Sequence, residues 1–279
     1  YALASSGLAL TYGLLRVLNF AQGHLMMLGA YVFFLFSARF GLPFPASVGM
    51  TAAVVLVVST LMFRVFILPF AKIDSLLTLV ATLALATMLE AVVALLFGVD
   101  VKTLATSTSF TSYHYGSVYI TPIQLVIIGS AVVLLSAVAC VIHATPLGRR
   151  IRALAEHPHA AEAIGVSRGR VSYGVFLLGA ALSAYAGVLV GYESSMEPTM
   201  GVGYTVKAFA AMILGGLGNI WGAIIGSYLL GLIENLSIGL DFGGWSVPAG
   251  YKDAFAFSVI LLMLLFRPQG LFGERTRRA

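Results

Sequence analysis

The amino-acid sequence predicts an all-α protein, a bundle of helices that crosses a membrane several times, and three observations support this fold class. Hydrophobic residues make up 59% of the chain and charged residues only 10%, whereas soluble domains carry roughly 25% charged residues. The apolar residues form long runs, several of which reach the roughly 20 residues that a helix needs to cross a bilayer. The arginines lie in clusters between those runs, as they do in the cytoplasmic loops of membrane proteins.

Apolar runs account for most of the chain. They cover residues 1–17, 19–39, 46–70, 75–98, 122–143, 171–192, 205–217, 219–240 and 251–267. A helix is the economical conformation for such a run, because the edge of an exposed strand has no hydrogen-bond partner in lipid. We therefore predict a single membrane-spanning domain over residues 1–279, with about eight or nine helical segments.

The distribution of arginine predicts which loops are cytoplasmic. Residues 146–170 contain five arginines, and the tail after residue 267 contains three more. Few basic residues occur in three other segments, which we predict to lie outside: 99–121, 194–204 and 241–250. The C-terminus is then cytoplasmic, and counting nine segments back from it places Tyr1 on the outer side.

A glycine-rich stretch ends the seventh apolar run. Residues 205–217 are too few to span a bilayer alone, and they lead into Gly215-Gly216-Leu217-Gly218. If both flanking loops lie outside, residues 205–240 must enter the membrane and return. These roughly 36 residues form a helix of about 54 Å, which is less than the length of two crossings of about 30 Å each. We predict either a short span or a re-entrant segment here, with its turn at the glycines.

Missing motifs argue against several classes of function. No phosphate-binding loop of the form G-x-x-x-x-G-K-[ST] occurs, and the nearest stretch, Gly201 to Lys207, has Ala208 after its lysine. Neither a zinc-binding Cys/His spacing nor a G-x-S-x-G motif is present. The sequence therefore predicts no enzyme, no catalytic residue, no cofactor and no bound metal. Nucleic-acid binding is also disfavoured, because its basic footprint needs a solvated face.

Polar amides stand beside glycines where the apolar runs break. Asn19 and Gln22 precede Gly23, and Asn219 follows Gly218. Glycine-interrupted segments in matching positions of the two halves of a transporter point to its central pathway. A buried amide without a partner costs roughly 1–3 kcal/mol, so we expect all three amides to lie beside water or solute on a translocation pathway.

Three of the ionisable residues within apolar runs are candidates for the translocation pathway: His24, Glu90 and Lys207. An ionised Glu90 in lipid is unfavourable unless it is paired or faces water, so it is either a pathway group or a neutral side chain hydrogen-bonded between helices. His24 either faces a cavity on the pathway or is satisfied by a neighbouring helix. Lys207 lies just inside the predicted outer boundary, where it either snorkels outward or meets solute or an ion-pair partner.

The longest polar segment, 149–170, contains a predicted short helix. Pro158 suits a first helical turn, and Gly165 suits the position after a helix C-terminus. Small or apolar residues three and four positions apart share one face of this helix: Ala160, Ala161 and Ile164, with Glu156 before the helix. A small, smooth face flanked by arginines is suited to a groove in another protein, and the alternative is a solvated loop that follows the charge rule.

In their order and spacing, these segments resemble the Liv-type permeases of branched-chain amino acid ABC importers, in particular the LivH branch. The matching segments are Asn19-Phe20-Ala21-Gln22-Gly23 with Leu28-Gly29-Ala30-Tyr31, Gly148 to Glu156, Ala160 to Gly165, Lys207-Ala208-Phe209, Leu214 to Asn219 with Gly222-Ala223, Tyr251-Lys252-Asp253, and Pro268 to Gly273. They cover nearly the whole chain, and their order is more specific than any single segment.

The resemblance implies a function and a set of partners. It predicts the permease subunit of an importer that moves branched-chain or related small amino acids inward across the bacterial inner membrane. The implied partners are a second, LivM-like permease subunit, two cytoplasmic ATPase subunits and an extracytoplasmic solute-binding protein. In this family the short cytoplasmic helix is the coupling helix that docks on the ATPase, which gives that role to Glu156, Ala160, Ala161, Ile164 and Gly165.

Two alternatives remain open. An ion-coupled secondary transporter would use Glu90 or His24 as its proton or sodium site and would need no ATPase. A permease of the same family for urea, amides or small carboxylates would keep the same partners and differ in its solute.

Overall fold

The computed structural model describes residues 1–71, 73–104, 113–115, 118–239, 241–242, 245–246, 251–267 and 269–273. Helices make up nearly all of the regular structure in these residues. They are α1 (Ala2–Leu15), α2 (Gln22–Phe34), α3 (Phe44–Met62), α4 (Leu68–Phe70), α5 (Ser75–Phe97), α6 (Pro122–Ala144), α7 (Pro146–Glu156), α8 (Pro158–Ala163), α9 (Arg168–Glu193), α10 (Met200–Gly215), α11 (Ile220–Gly239) and α12 (Lys252–Phe266).

Short irregular elements complete the fold. A π-helical turn, Leu35–Arg39, continues α2, and a second, Phe63–Ile67, joins α3 to α4. Two antiparallel hairpins occur in segments that we predict to lie outside: β1 (Tyr113–Tyr115) with β2 (Val118–Ile120), and β3 (Asp241–Phe242) with β4 (Trp245–Ser246).

Length and composition identify the helices that can cross a membrane. Among the described residues, four helices are long and apolar enough: Phe44–Phe70, which runs from α3 through α4, and α5, α6 and α9. The bent pair of α10 and α11 makes a fifth. The predicted fold class, a helical protein with several apolar spans, is therefore confirmed. The predicted number of eight or nine segments stays a prediction, because α1, α2 and α12 have only 14, 13 and 15 residues.

The glycine-rich turn between α10 and α11 bends the chain by 116°. α10 begins at Met200, earlier than the predicted run. Gly216 and Gly218 make the turn with φ angles of 116° and 82°, a region that favours glycine because it has no Cβ atom. The backbones of Gly215 and Gly222 touch, and a Cβ atom on Gly215 would lie 1.9 Å from the Gly222 carbonyl oxygen. The structure thus has a turn at the predicted glycines.

This turn lies at the end of the bundle that carries the arginine-rich loop 146–170, which we call the arginine end. The Trp221 ring, at the start of α11, stacks on His143, at the end of α6, with the ring centroids 6.2 Å apart. The amides of Leu271 and Phe272 donate hydrogen bonds of 2.9 Å to the carbonyls that end α10. The chain after α12 therefore packs on the turn from the same end.

The helix α2 begins inside the bundle. The side-chain amide of Gln22, its first residue, donates to the carbonyl of Gly179 near the middle of α9. A Cβ atom on Gly7 of α1 would lie within 3.0 Å of both groups, so α1 passes the same level. Residues 8–21 therefore run from the middle of the bundle toward one end and back to the middle. Arg16 reverses the direction of the chain with a φ of 55°. The second apolar run is consequently not one uninterrupted span.

Side chains satisfy the amides at this buried helix start, which would otherwise lack partners. Thr82 of α5 accepts from the Phe20 amide at 3.3 Å, and Thr205 of α10 accepts from the Gly23 amide at 3.0 Å. Asn19 accepts from an amide within the loop at 3.1 Å. These bonds fix α2 in the centre of the bundle, where every residue from 22 to 33 is buried.

The arginine-rich loop contains two helices where the sequence predicts one. α8 matches the predicted short helix, and Gly165 follows it with a φ of 88°. α7 is not predicted, although its start signals are present: Pro146 is its first residue, and Thr145 accepts from the Gly148 amide at 3.2 Å. Its apolar stripe is buried against the bundle, so α7 anchors the loop.

Candidate functional site

An ionisable pair lies between α2 and α5 within the apolar part of the bundle. The Nε2 atom of His24 is 3.5 Å from the Oε2 atom of Glu90. His24 is 2% exposed, and its ring rests on Gly201 of α10, where a Cβ atom would lie 2.8 Å from the ring. In the described part of the chain, neither ring nitrogen makes a hydrogen bond of normal geometry. The structure thus brings two of the predicted ionisable residues together.

Glu90 faces outward from this pair. Its side chain is 29% exposed, and it stands seven residues before the end of α5 at Phe97. That distance is about 10 Å along a helix, against about 15 Å for half of the hydrocarbon core. A carboxylate at this depth needs a charge partner, water or another protein chain on its open side.

The amides of Asn19 and Gln22 are satisfied by protein groups. Asn19 donates to the Gln22 side-chain oxygen at 3.2 Å, and Gln22 donates to the Gly179 carbonyl at 3.0 Å and to the Ser183 hydroxyl at 2.6 Å. Both side chains are buried, at 2% and 1% exposure. The expectation that these amides require water or solute therefore does not hold. They fix the start of α2 two residues before His24.

Asn219 lies at the arginine end and caps a helix. Its Oδ1 atom accepts from the Gly222 amide at 3.1 Å, and its Nδ2 atom donates to the Phe272 carbonyl at 3.3 Å. The side chain is half-buried. It therefore joins α11 to the chain after α12, and its expected contact with water or solute is not needed to satisfy it.

Lys207 belongs to an ionic cluster at the opposite end of the bundle. Its Nζ atom lies 2.8 Å from Asp253 of α12 and 3.3 Å from Glu234 of α11. It also donates to the Tyr1 hydroxyl at 3.3 Å and lies 5.5 Å from the centre of that ring. The lysine side chain is only 12% exposed, so it does not snorkel outward, and the ion-pair alternative describes it.

Asp253 is a member of this cluster that the sequence analysis missed. The sequence does contain a signal for it, because Asp253 lies in the first turn of an apolar helix. A carboxylate within an apolar segment needs a cation or water beside it. Among the described residues, no three His, Cys, Asp or Glu side chains come together to hold a metal ion.

The predicted docking residues separate into an exposed set and one buried residue. Ile164 is 79% exposed, and Glu156, Ala160 and Gly165 are also exposed. Ala161 is 2% exposed and packs in the main hydrophobic core. It lies about 100° from Ala160 around the helix, which turns it toward the bundle. Ala161 is therefore not part of the exposed face, and we keep the name docking face for Glu156, Ala160, Ile164 and Gly165.

Comparison with known proteins identifies relatives over almost the whole chain. Residues 1–264 match the family described as "Branched-chain amino acid transport system / permease component". The chain is 31% identical to the high-affinity branched-chain amino acid transport system permease protein BraD of Pseudomonas aeruginosa, over 98% of this chain and 92% of that protein. It is also 31% identical to the protein LivH of Escherichia coli, which has the same description, over 98% of this chain and 91% of LivH.

A second group of relatives is similar over a shorter stretch. The ribose import permease protein RbsC of Escherichia coli is 36% identical over 44% of this chain and 39% of its own. No solved structure matches the chain. On the family match and the near full-length identity to BraD and LivH, the chain belongs to the family of permease components of branched-chain amino acid transport systems.

Proposed function

We propose that this chain is the membrane-spanning permease subunit of an ABC importer that carries branched-chain or related small amino acids into the cell, driven by ATP hydrolysis on partner subunits. The similarity to BraD and LivH over nearly the whole chain supports this solute class. The proposed partners are a second, homologous permease subunit, two cytoplasmic ATPase subunits and an extracytoplasmic solute-binding protein.

The arginine end is proposed to be cytoplasmic. Its loop carries five arginines, and short loops rich in arginine remain on the cytoplasmic side. The turn between α10 and α11 and the chain after α12 lie at the same end. The Lys207 cluster and Tyr1 then lie toward the outer surface.

The position of Glu90 is the observation that carries the proposed pathway. An ionised carboxylate facing acyl chains is unfavourable by several kcal/mol, yet 29% of this side chain is open in the single chain. Its open side is therefore assigned to a water-filled pathway at the interface with the second permease subunit. His24 lies behind it and completes the pathway pair, while Asn19 and Gln22 hold the helix start that positions His24.

Replacing the carboxylate tests this assignment. In proteoliposomes that contain the complete importer, Glu90→Gln should lower amino-acid uptake about tenfold or more, because it removes the carboxylate that pairs with His24 and a loss of about 1.4 kcal/mol is a factor of ten. Glu193→Gln is the matched control, since Glu193 is exposed at the end of α9 and should leave uptake unchanged. Wild-type uptake by Glu90→Gln would remove Glu90 from the pathway.

The His24 and Glu90 pair also favours a second candidate function. Two protonatable groups 3.5 Å apart inside the membrane are an arrangement that proton-coupled transporters use. Such a transporter would move solute without an ATPase. Uptake by the chain alone under a proton gradient separates this candidate from the importer.

The docking face is proposed as the contact for the ATPase. An isoleucine that is 79% exposed directly after the six-residue helix α8 has apolar area available to a partner, and the neighbouring alanine and glycine leave room for a close approach. The buried stripe of α7 attaches the loop to the core, so movement of the docking face would be passed to the bundle. This is the role that a coupling helix requires.

A further inference from the structure

An apolar groove runs between α6 and α9. Its volume is about 500 Å³, and fourteen side chains line it, all aliphatic except Ser130 and Tyr185. Ligand sites typically measure about 300–1,000 Å³ and are mostly apolar, so the groove has the size and character of a binding site. It exists because α6 packs on the bundle along one narrow buried stripe, formed by Leu135, Val138 and Ile142.

The groove is long enough for an acyl chain of one lipid leaflet, and its lining continues beyond that length to Val48 near the start of α3. On α6 its lining extends from Ser130 to Ile142, a rise of about 18 Å at 1.5 Å per residue. Half of the hydrocarbon core of a bilayer measures about 15 Å. Ile151 of α7 also lines the groove, so the groove ends at the arginine end. An acyl chain that stands along α6 in that leaflet therefore fits within the groove.

Two arginines of α7 stand at this end of the groove. Arg150 and Arg152 flank Ile151 and lie about 100° to either side of it around the helix. Arg152 donates a hydrogen bond to the Ile142 carbonyl at the groove wall. Neither arginine is paired with a carboxylate in the part of the chain that the structure describes. A guanidinium has five N–H donors, so donors remain for an anion.

We propose that the groove holds an acyl chain of an anionic phospholipid from the leaflet at the arginine end, with the lipid phosphate at Arg150 and Arg152. Charge complementarity selects this occupant, because an apolar helix of a partner subunit would fill the groove but leave the arginines without an anion. Basic residues at a membrane surface attract anionic head groups. The bound lipid bridges α6 and α9 and steadies α7, which leads into the docking face.

Counting the retained lipid tests the proposal. The transport complex is reconstituted in nanodiscs with equal parts of phosphatidylglycerol and phosphatidylcholine, extracted into detergent and weighed by native mass spectrometry. The wild type should retain a phosphatidylglycerol molecule on this chain. Ala137→Trp, which fills the groove, should lose it. Ser136→Trp is the matched control on the adjacent exposed position of α6 outside the groove lining, and it should retain the lipid.

A charge variant tests the head-group contact. Arg150→Gln should lower the preference for phosphatidylglycerol over phosphatidylcholine about fivefold, whereas Arg168→Gln, an exposed arginine at the start of α9, should not. Ala181→Leu fills the groove from the facing helix and repeats the test if the tryptophan variant does not assemble. Three results would overturn the proposal. They are lipid retention that neither filling variant changes, a lipid preference that Arg150→Gln does not change, and a cross-link from position 137 to a helix of a partner subunit.

Discussion

The substitution Ile164→Glu separates a docking face from a solvated loop. In the single chain 79% of this side chain is exposed, so the change should alter the stability of the permease by no more than about 0.5 kcal/mol. If an ATPase covers the docking face, the complex loses the burial of an isoleucine, about 1.5–3 kcal/mol, and must also desolvate a charge. The affinity for the ATPase should fall at least about 10- to 100-fold.

The assay is the binding of purified ATPase subunits to the permease in nanodiscs, followed by solute-stimulated ATP hydrolysis and uptake. Ile73→Glu is a matched control, because Ile73 is 71% exposed in the loop between α4 and α5 and lies outside the docking face. Ala161→Glu should behave differently from both, since a charge at a 2% exposed core position destabilises the permease itself. Wild-type affinity and coupling in Ile164→Glu would refute the docking face.

Two further predictions concern the ionic cluster and the orientation of the chain. Lys207→Met should destabilise the permease by about 3–5 kcal/mol, because it removes a cation that pairs with the buried carboxylate of Glu234, whose side chain is 6% exposed. An unchanged melting temperature in detergent would show that the cluster is not stabilising. A cysteine at Asp100 should react with an impermeant reagent from outside, and one at Ser167 should not, in a Cys140→Ala background that removes the exposed native thiol. The opposite labelling pattern would invert the proposed orientation.

Much of the helical framework could be predicted from the sequence because it depends on local chemistry. A long apolar run selects a helix wherever it lies in lipid, and the runs near α5 and α6 agree with the structure within a few residues. The glycines at 165, 216 and 218 have positive φ angles, and they stand where the sequence already indicates a helix end or a turn. These features need no knowledge of the neighbouring helices.

The polar partners could not be predicted, because they lie far away in the sequence. Gln22 is satisfied by groups on α9, 157 and 161 residues further along the chain, and the sequence shows only that a buried amide needs some partner. The same limit applies to Ala161, whose spacing allows it to face either the core or a partner protein. The helix α7 was missed for a different reason: its arginines resemble a solvated loop, while its burial depends on tertiary packing of Ile151.

The source of energy is the most direct test of the central claim. A permease subunit with no phosphate-binding loop should transport nothing against a gradient when it is alone. A transporter pumps solute only if a bound ligand favours one conformation of its cavity over the other. In the proposed importer, that ligand is the nucleotide bound to the ATPase subunits. The measurement is amino-acid uptake in proteoliposomes by the purified chain and by the complete importer. The complete importer should concentrate solute only with ATP and should continue when a protonophore collapses the proton gradient. Concentrative uptake by the chain alone under a proton or sodium gradient would contradict the account.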